Sequence, residues 1–249
     1  MQASQHSELF DEALLARYDT TVPRYTSYPT APHFQPLDEE QYLGWIAHSN
    51  DAGNPLPLSI YVHIPFCSTV CFYCACTKII TANRKRAEPY LRGLLGEIRL
   101  ISDRVDTSRI VQQMHWGGGT PTFISRAQMQ MLMDELRSCF NFANDAVSEM
   151  SIELDPREVG PGDIGFLREQ GFNRVSLGVQ DIDPDVQSAV NRIQPFEQTL
   201  KVFSAAREHG FKSISMDLIY GLPRQTPKRF ENTLDAIIRV RPDRLSVFN

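Results

Sequence analysis

Four of the five cysteines lie between positions 67 and 76, in the run Cys67-Ser-Thr-Val-Cys71-Phe-Tyr-Cys74-Ala-Cys76. Thiolates this close on one loop can converge on a single inorganic centre. Cys67, Cys71 and Cys74 would leave one iron of a cubane open to a small molecule. The alternative is a closed zinc site with Cys76 or His63 as fourth ligand. The spacing favours the iron–sulfur cluster, because structural zinc sites usually take a second ligand pair far along the chain.

A glycine run, Gly117-Gly118-Gly119-Thr120, follows the second predicted strand. Glycine lets a backbone approach a ligand closely, but it also serves a tight strand-to-helix turn. The position of the run beside the cysteine loop favours a ligand-binding role over the turn alone.

The later strand ends carry polar side chains. Glu153 and Asp155 alternate onto one side of the chain and suit a ribose hydroxyl or an ammonium group, with an ion pair to Arg157 as an equal alternative for Asp155. Gln180 lies at the fourth strand end. Asp217 interrupts an apolar strand, where a charge needs a partner.

Two further kinds of residue have a structural alternative to a functional role. Arg192 could hold a carboxylate, but its segment alone favours an ordinary surface arginine. His63 and His115 lie inside strand patterns, where satisfied core histidines are more common than ligands or bases.

Strand and helix patterns alternate from residue 58 onward, which indicates parallel strands joined by right-handed crossovers. Strands are predicted over 58–63, 111–116, 149–154, 174–179, 213–219 and 244–248. Helices are predicted over 90–103, 126–139, 163–170, 196–209 and 227–239. Six strands are too few for a closed eight-unit barrel. We therefore predict an α/β fold, an open partial (β/α)6 barrel, with a doubly wound sheet as the alternative.

Residues 1–57 are expected to form an irregular and helical N-terminal arm, and residues 58–249 the partial barrel. The net charge of −5 argues against nucleic acid as a partner. No apolar run approaches bilayer length, and no secretory stretch follows the polar first residues. We expect a cytoplasmic protein without a membrane partner.

Several segments together resemble the radical S-adenosylmethionine (SAM) superfamily and, within it, the oxygen-independent coproporphyrinogen III oxidase family. They are Arg24-Tyr-Thr-Ser-Tyr-Pro-Thr30, Tyr61-Val-His-Ile-Pro-Phe-Cys67, Cys74-Ala-Cys76, His115-Trp-Gly-Gly-Gly-Thr-Pro-Thr122, Glu153-Leu-Asp-Pro-Arg-Glu158, Gly178-Val-Gln-Asp181, the run from Asp217 to Thr226, and the run from Pro242 to Asn249. The likeness covers nearly everything from Tyr18 to the end.

The resemblance implies a site. Cys67, Cys71 and Cys74 would ligate a 4Fe–4S cluster, and Cys76 would not be a ligand. A first S-adenosylmethionine would bind the open iron, and the site of this family can hold a second. The residues implied around the first are Tyr61, Gly118 and Glu153, and those around the second are Tyr73, Gly119, Thr120, Gln180, Arg192 and Asp217.

The resemblance also implies a reaction, the oxidative decarboxylation of two propionates of coproporphyrinogen III to vinyl groups through a 5′-deoxyadenosyl radical. The product would be protoporphyrinogen IX, for haem biosynthesis. The implied partners are this substrate and a one-electron donor such as flavodoxin or ferredoxin, and we expect a monomer. Arg24, Tyr25 and Tyr28 are hypothesised to help bind the anionic substrate. The alternative function is that of a haem-binding chaperone of the same superfamily. Cys76 and the Arg24 segment favour the oxidase over this chaperone.

Chains of the resembled family continue beyond the position of Asn249, into further active-site contacts and a mostly helical covering domain. We therefore expect this sequence to lack the C-terminal covering domain, to fold around a cluster, and to turn over weakly.

Overall fold

The computed structural model describes residues 11–18, 30–51 and 56–249. Contacts between residues divide the chain into two compact units, Met1–Gly44 and Trp45–Asn249. The first unit contains α1 (Glu12–Tyr18) and a short 3-10 turn (Ala31–His33), and α2 (Glu39–Asn50) begins in it. The predicted boundary after residue 57 stays a prediction. Arg24, Tyr25 and Tyr28 lie outside the described residues.

The second unit is built on one parallel sheet. Its long strands are β1 (Leu58–Ile64), β4 (Ile110–Gly118), β6 (Glu149–Leu154), β7 (Arg174–Gln180), β8 (Ser213–Ile219) and β9 (Arg244–Phe248). They lie side by side in that order, every pairing parallel. The short strand β5 (Asn141–Phe142) pairs with the start of β4, and β2 (Phe66–Cys67) pairs with β3 (Ile79–Ile80).

The strand order decides between the two predicted architectures. Each long strand is added beside its predecessor in the chain, whereas a doubly wound sheet reverses direction at a switch point. The first and last long strands are not paired with each other among the described residues, so the sheet is open. The predicted partial barrel is confirmed, and the doubly wound alternative is wrong.

Helices connect the strands close to the predicted positions. They are α3 (Ala87–Ser102), α4 (Arg126–Cys139), α5 (Pro161–Glu169), α6 (Pro184–Ala189), α7 (Phe196–Glu208) and α8 (Pro227–Val240). The hydroxyl of Ser125 caps α4 in a capping box with Gln128, and Thr226 caps α8 ahead of Pro227. Left-handed glycines, Gly171 and Gly210, follow α5 and α7.

The two faces of the sheet differ in polarity. Ile152, Leu177 and Met216 belong to the buried core, and Trp116 packs edge-on against Phe172 with ring centroids 5.2 Å apart. Because side chains alternate along a strand, the intervening positions line the opposite face. That face is polar. It carries His115, Ser151, Glu153, Ser176 and Asp217.

No helix among the described residues combines the length and apolar character that crossing a membrane requires.

A buried carboxylate, that of Asp181, ties the end of β7 to α8. It accepts hydrogen bonds from the Thr233 hydroxyl at 2.7 Å and the Asp183 backbone N–H at 2.8 Å, and one from Gln225. Asp181→Ala should lower the free energy of unfolding by about 3 kcal/mol, because it leaves buried donors without an acceptor. Urea denaturation measures the change.

The matched control is Asp235→Ala, at an exposed position on α8, which should change the free energy of unfolding by less than about 0.5 kcal/mol. Equal losses in the two variants would contradict the role given to Asp181.

Candidate active site

The carboxyl ends of the parallel strands surround a cavity of about 340 Å³. The ends of β4, β6, β7, β8 and β9 contribute to its wall, as does the cysteine loop that follows β1. The cavity brings together all but one of the predicted site residues: Cys67, Cys71, Tyr73, Cys74, Gly118, Gly119, Thr120, Glu153, Gln180, Arg192 and Asp217.

The cysteine loop closes one side of the cavity. It leaves β1 through the β2–β3 pair, in which Cys67 lies opposite Ile80. The Cys74 N–H donates to the Cys71 carbonyl at 3.1 Å, which forms a turn, and the Lys78 ammonium donates to the Cys74 carbonyl at 2.8 Å. Cys71 is buried, Cys67 and Cys74 are half-buried, and Cys76 is exposed. The loop therefore presents three shielded thiols to the cavity.

Neighbouring thiols contribute to raised pKa values at Cys67 and Cys76. For Cys67, burial is the largest cause of a raised pKa, and neighbouring Cys74 and Cys71 add to it, while a hydrogen bond from Thr120 opposes it. Burial and Cys74 raise the pKa of Cys76 to about 11. Such crowding disfavours free thiolates and favours a positive centre that ligates them.

Among the described residues, no three His, Cys, Asp or Glu side chains come together as a single metal ion requires. A cubane spreads its thiolate ligands over separate irons, so it does not need that convergence.

A buried charge network lies beneath Cys71. Arg192 donates to Asp155 Oδ2 at 3.0 Å and to the Gly178 carbonyl at 2.7 Å, and Arg157 donates to the same Asp155 oxygen at 2.7 Å. Both guanidinium groups reach Cys71 Sγ at 3.6 Å. Burial would raise the pKa of Asp155, but hydrogen bonding to Arg157 and the charge of Arg192 lower it below its ordinary value.

This network corrects the first interpretation of Arg192. The side chain is not at the surface: the residue is 6% exposed. The segment around it gave no sign of this, because the partners come from β6 and from the cysteine loop. A Cβ on Gly178 would lie 2.9 Å from an Arg192 nitrogen, so the glycine makes room for the arginine. The predicted ion pair between Asp155 and Arg157 is present.

Glu153 is held by the polar face of the sheet. One oxygen is 3.1 Å from His115 Nε2, and the other accepts from the Gly118 N–H at 3.3 Å. His115 Nδ1 lies 2.6 Å from the Ser151 hydroxyl. Both histidines singled out in the sequence are half-buried and hydrogen-bonded on this polar face rather than in the apolar core.

Tyr61 is the predicted site residue that does not line the cavity. Its ring stacks on that of His115 with centroids 5.8 Å apart, and its hydroxyl lies 2.9 Å from His63 Nδ1. His115 in turn contacts Glu153, which lines the cavity, and a direct cofactor contact by Tyr61 stays a prediction.

The space beside the glycine run is occupied mainly by other parts of the protein. Gly118 has φ of +115°, and a Cβ there would lie 2.7 Å from the His63 ring. A Cβ on Gly119 would lie 2.7 Å from the backbone of Pro65. Both glycines let the end of β4 pack against the chain leaving β1, while their backbones still face the cavity. The packing agrees with the turn alternative, and the ligand role stays a prediction.

Gln180 is strained. Its φ is +68°, in the left-handed region that non-glycine residues rarely adopt, and it follows a register shift between β7 and β8. Strained residues of this kind cluster at functional sites, which supports the prediction that Gln180 contacts a ligand.

A scan against protein-family models matches the radical SAM superfamily over residues 61–237. The chain belongs to this superfamily. It is 51% identical over 244 residues to the oxygen-independent coproporphyrinogen III oxidase of Pseudomonas aeruginosa, covering 96% of this chain and 52% of that protein. The Escherichia coli protein of the same name is 47% identical over 241 residues, covering 96% and 51%.

Solved structures agree. A structure described as coproporphyrinogen III oxidase from Escherichia coli, a radical SAM enzyme, matches with a TM-score of 0.87 and 45% identity, covering 96% of this chain and 52% of that one. A radical SAM methyltransferase from Kitasatospora setae, at 16% identity and a TM-score of 0.51, shares the fold alone. The chain spans about half the length of the relatives it matches.

The superfamily implies a 4Fe–4S cluster and S-adenosylmethionine, and the residues present fit both. The three proposed ligand thiols, Cys67, Cys71 and Cys74, line one cavity together with Cys76. The buried Nε of Arg192 has no hydrogen-bond partner among the described residues, and a bound carboxylate would supply one. Glu153 offers acceptors to hydroxyl or ammonium groups at the same wall.

Sequence reasoning did not single out several residues of the cavity wall, among them Lys78, Ser176 and Phe248. Ser176 had a usable signal, because it shares the face of Gly178 and Gln180 by alternation along β7. Lys78 lies in the cysteine loop and reaches back to its carbonyls, which no local pattern indicates.

Asp217 has the hydrogen-bond partner that a buried carboxyl group requires. The Ser176 hydroxyl donates to it at 2.8 Å. Burial raises its pKa above the ordinary 3.8, and nearby Glu153 raises it further, against hydrogen bonds from Ser176 and Ser246 and the charge of Arg192. The protonated carboxyl group of Asp217 therefore stabilises the folded state when the pH is below the pKa of this group in the unfolded chain. That stabilisation is lost as the pH rises through the higher pKa that the group has in the folded state.

Asp217→Asn mimics the protonated acid and keeps an acceptor for Ser176. The variant should therefore gain stability over the parent at pH 7 and lose most of that gain at pH 4. Urea unfolding of the cluster-free chain at the two pH values measures this, with exposed Asp235→Asn as the control. A gain that is the same at both pH values, or larger at pH 4, would contradict the assignment.

Proposed function

We propose that the chain carries out oxygen-independent oxidative decarboxylation of coproporphyrinogen III, converting two propionates to vinyl groups to give protoporphyrinogen IX. The observation that carries the proposal is the cavity in which the three cysteines meet the polar strand ends, within a sequence 51% identical to a relative bearing that name. Each propionate loses carbon dioxide, one hydrogen atom, which the chemistry of S-adenosylmethionine would take up, and one further electron, which passes to an external one-electron acceptor. The haem-chaperone alternative is not favoured, because both relatives carry the oxidase name.

When bound, the cluster and S-adenosylmethionine supply the one-electron chemistry that breaks an alkyl C–H bond, which no side-chain base could attack. The residues of the chain bind and orient. Cys67, Cys71 and Cys74 hold the cluster. Arg192, fixed by Asp155 and the Gly178 carbonyl, aims its guanidinium at a carboxylate of the cofactor.

The remaining contacts divide as the family resemblance implies. Tyr61, Gly118 and Glu153 surround a first S-adenosylmethionine. The wall of Tyr73, Gly119, Thr120, Gln180, Arg192 and Asp217 suits a second ligand. Tyr73 is largely buried, and burial raises its pKa, so its hydroxyl stays protonated and can donate a hydrogen bond.

Outside the cavity, the proposal includes a one-electron donor such as flavodoxin or ferredoxin. It also includes a monomeric state, a cytoplasmic location and no nucleic-acid or membrane partner.

The cluster assignment makes a direct prediction. Cys67→Ala, Cys71→Ala and Cys74→Ala should each lose most of the iron and sulfide bound after anaerobic reconstitution, whereas Cys76→Ser should keep it. Chemical iron and sulfide analysis and the visible charge-transfer absorption measure the result.

With coproporphyrinogen III, S-adenosylmethionine and a reductant under nitrogen, chromatography should detect protoporphyrinogen IX with the parent and none with Cys71→Ala. A parent that holds a full cluster, binds S-adenosylmethionine and forms no product would contradict the proposed reaction for this chain.

The arrangement around Glu153 gives His115 a positioning role. His115→Phe keeps a ring to stack on Tyr61 but cannot donate to Glu153. The affinity of the reconstituted chain for S-adenosylmethionine should fall about tenfold, the effect of losing one hydrogen bond to a charged group.

Calorimetric titration measures the affinity. His115→Asn, which restores an N–H donor, should recover part of it, and His48→Phe, at an exposed position on α2, should leave it unchanged. An unchanged affinity for S-adenosylmethionine in His115→Phe would contradict the positioning role of His115.

A further inference from the structure

The three proposed ligand sulfurs have different hydrogen-bond donors. Arg157 Nη2 and Arg192 Nη1 each lie 3.6 Å from Cys71 Sγ and donate to it. Cys67 Sγ instead accepts from a neutral group, the Thr120 hydroxyl at 3.5 Å. Among the described side chains, Cys71 is thus the cysteine whose sulfur accepts from guanidinium groups.

The network beside Cys71 carries a surplus positive charge. Arg157 and Arg192 both pair with the single carboxylate of Asp155, so two positive groups face one negative group. The side chains of Arg192 and Asp155 are 8% and 10% exposed, and that of Arg157 is 19% exposed. Because water has little access to these groups, it screens their charge poorly, and their field at the sulfur is stronger than that of a surface pair.

The geometry of Arg157 gives it more than the neutralisation of Asp155. Its Nε donates to Asp155 Oδ1 at 3.0 Å, and its Nη2 donates to Oδ2 at 2.7 Å. This two-point contact fixes the plane of the guanidinium group, and the same Nη2 also reaches Cys71. Arg192 already pairs with Asp155 at 3.0 Å. A second arginine therefore exceeds what one carboxylate requires.

A positive donor at a ligand sulfur has a known effect on an iron–sulfur cluster. Reduction adds one negative charge to the cluster, and hydrogen bonds to the sulfurs, the net charge and the solvent exposure set the reduction potential. Hydrogen bonds from charged donors are the stronger ones. Such donors stabilise the reduced form more than the oxidised form, and the reduction potential rises.

We infer that Arg157 is a positioning residue that raises the reduction potential of the cluster through its hydrogen bond to Cys71 Sγ. The inference rests on the proposed function, because it takes Cys71 as a cluster ligand. The competing interpretation is that Arg157 only neutralises Asp155 and holds the segment after β6 in place. The two interpretations differ in the potential that they predict when the bond to sulfur is removed at constant net charge.

The experiment measures the midpoint potential of the cluster in the reconstituted chain without S-adenosylmethionine. An anaerobic redox titration is followed by electron paramagnetic resonance of the reduced cluster, and iron and sulfide analysis shows how much cluster each variant holds. The first variant is Arg157→Met. The second combines Arg157→Met with Asp155→Asn, which removes one charge of each sign and leaves an amide oxygen that can accept from Arg192.

The matched control combines Arg99→Met with Glu135→Gln. These residues form an ion pair of the same two-point kind between α3 and α4, with N–O distances of 2.6 and 2.9 Å, and neither lines the cavity. The control therefore removes an ion pair without touching the cysteine loop.

The double variant at Asp155 and Arg157 should shift the equilibrium constant for cluster reduction about tenfold toward the oxidised form. For one electron, this shift lowers the midpoint potential by about 59 mV. Arg157→Met alone should lower the midpoint further, because it also removes a positive charge and leaves Asp155 with one partner. The control should keep the midpoint of the parent.

A double variant that holds a full cluster at the midpoint of the parent, or at that of an equally shifted control, would overturn the inference. If Arg157→Met alone fails to fold because a buried charge has lost a partner, the double variant decides. Loss of iron from both Arg157 variants, with iron retained in the control, would show that Arg157 only holds the loop and would also overturn the inference.

Two outcomes for the parent separate this inference from the proposed function. A parent that holds a cluster and forms no protoporphyrinogen IX, while the variants show the expected shift, would overturn the proposed reaction and support the role of Arg157. A parent that binds no iron or sulfide would overturn both.

Discussion

Asp155 carries a negative charge in a nearly enclosed position, and that charge is tolerated only because two arginines neutralise it. A buried carboxylate loses its hydration, and removing one partner of such a pair leaves an uncompensated charge. Arg157 comes from the same loop as Asp155, whereas Arg192 comes from beyond α6. Their guanidinium groups both reach the sulfur of Cys71. The positions of the cysteine loop, the end of β6 and the segment after α6 are thus fixed together, and the cavity exists between them.

The parallel sheet explains why residues so distant in sequence meet. Every long strand runs the same way and is added in chain order, so each strand end delivers its polar side chains to one edge. Alternation then assigns the two faces. The apolar face packs under helices, and the polar face holds the hydrogen-bonded row of Ser151, His115 and Glu153. The apolar face forms the core that stabilises the fold, and the polar face carries the side chains that are available for binding and catalysis.

Much of this was predictable from the sequence, because the information is local. Strands and helices have their own periodicity and their own caps, such as Ser125 and Thr226. Strand-end residues could be grouped because parallel strands must bring them to one edge. The pairs β2–β3 and β4–β5 involve two-residue strands, too short for any periodic signal. Arg192 was misjudged because its burial depends on β6, on β7 and on the cysteine loop. For the glycines the sequence favoured a ligand and left a turn as the alternative. It gave no sign that Pro65 and His63 occupy the space beside them, because only tertiary structure places those neighbours there.

The cysteine loop has two sides that alternate along a few residues. Cys71 and Tyr73 point to the cavity, while Val70 and Phe72 face solvent. Substitutions on the outer side need not disturb the inner one, because the backbone between them is anchored by its own hydrogen bonds to Val190 and Asn191. The outer side chains can therefore change while the inner ones keep their positions. The two sides of this short segment are open to independent evolution.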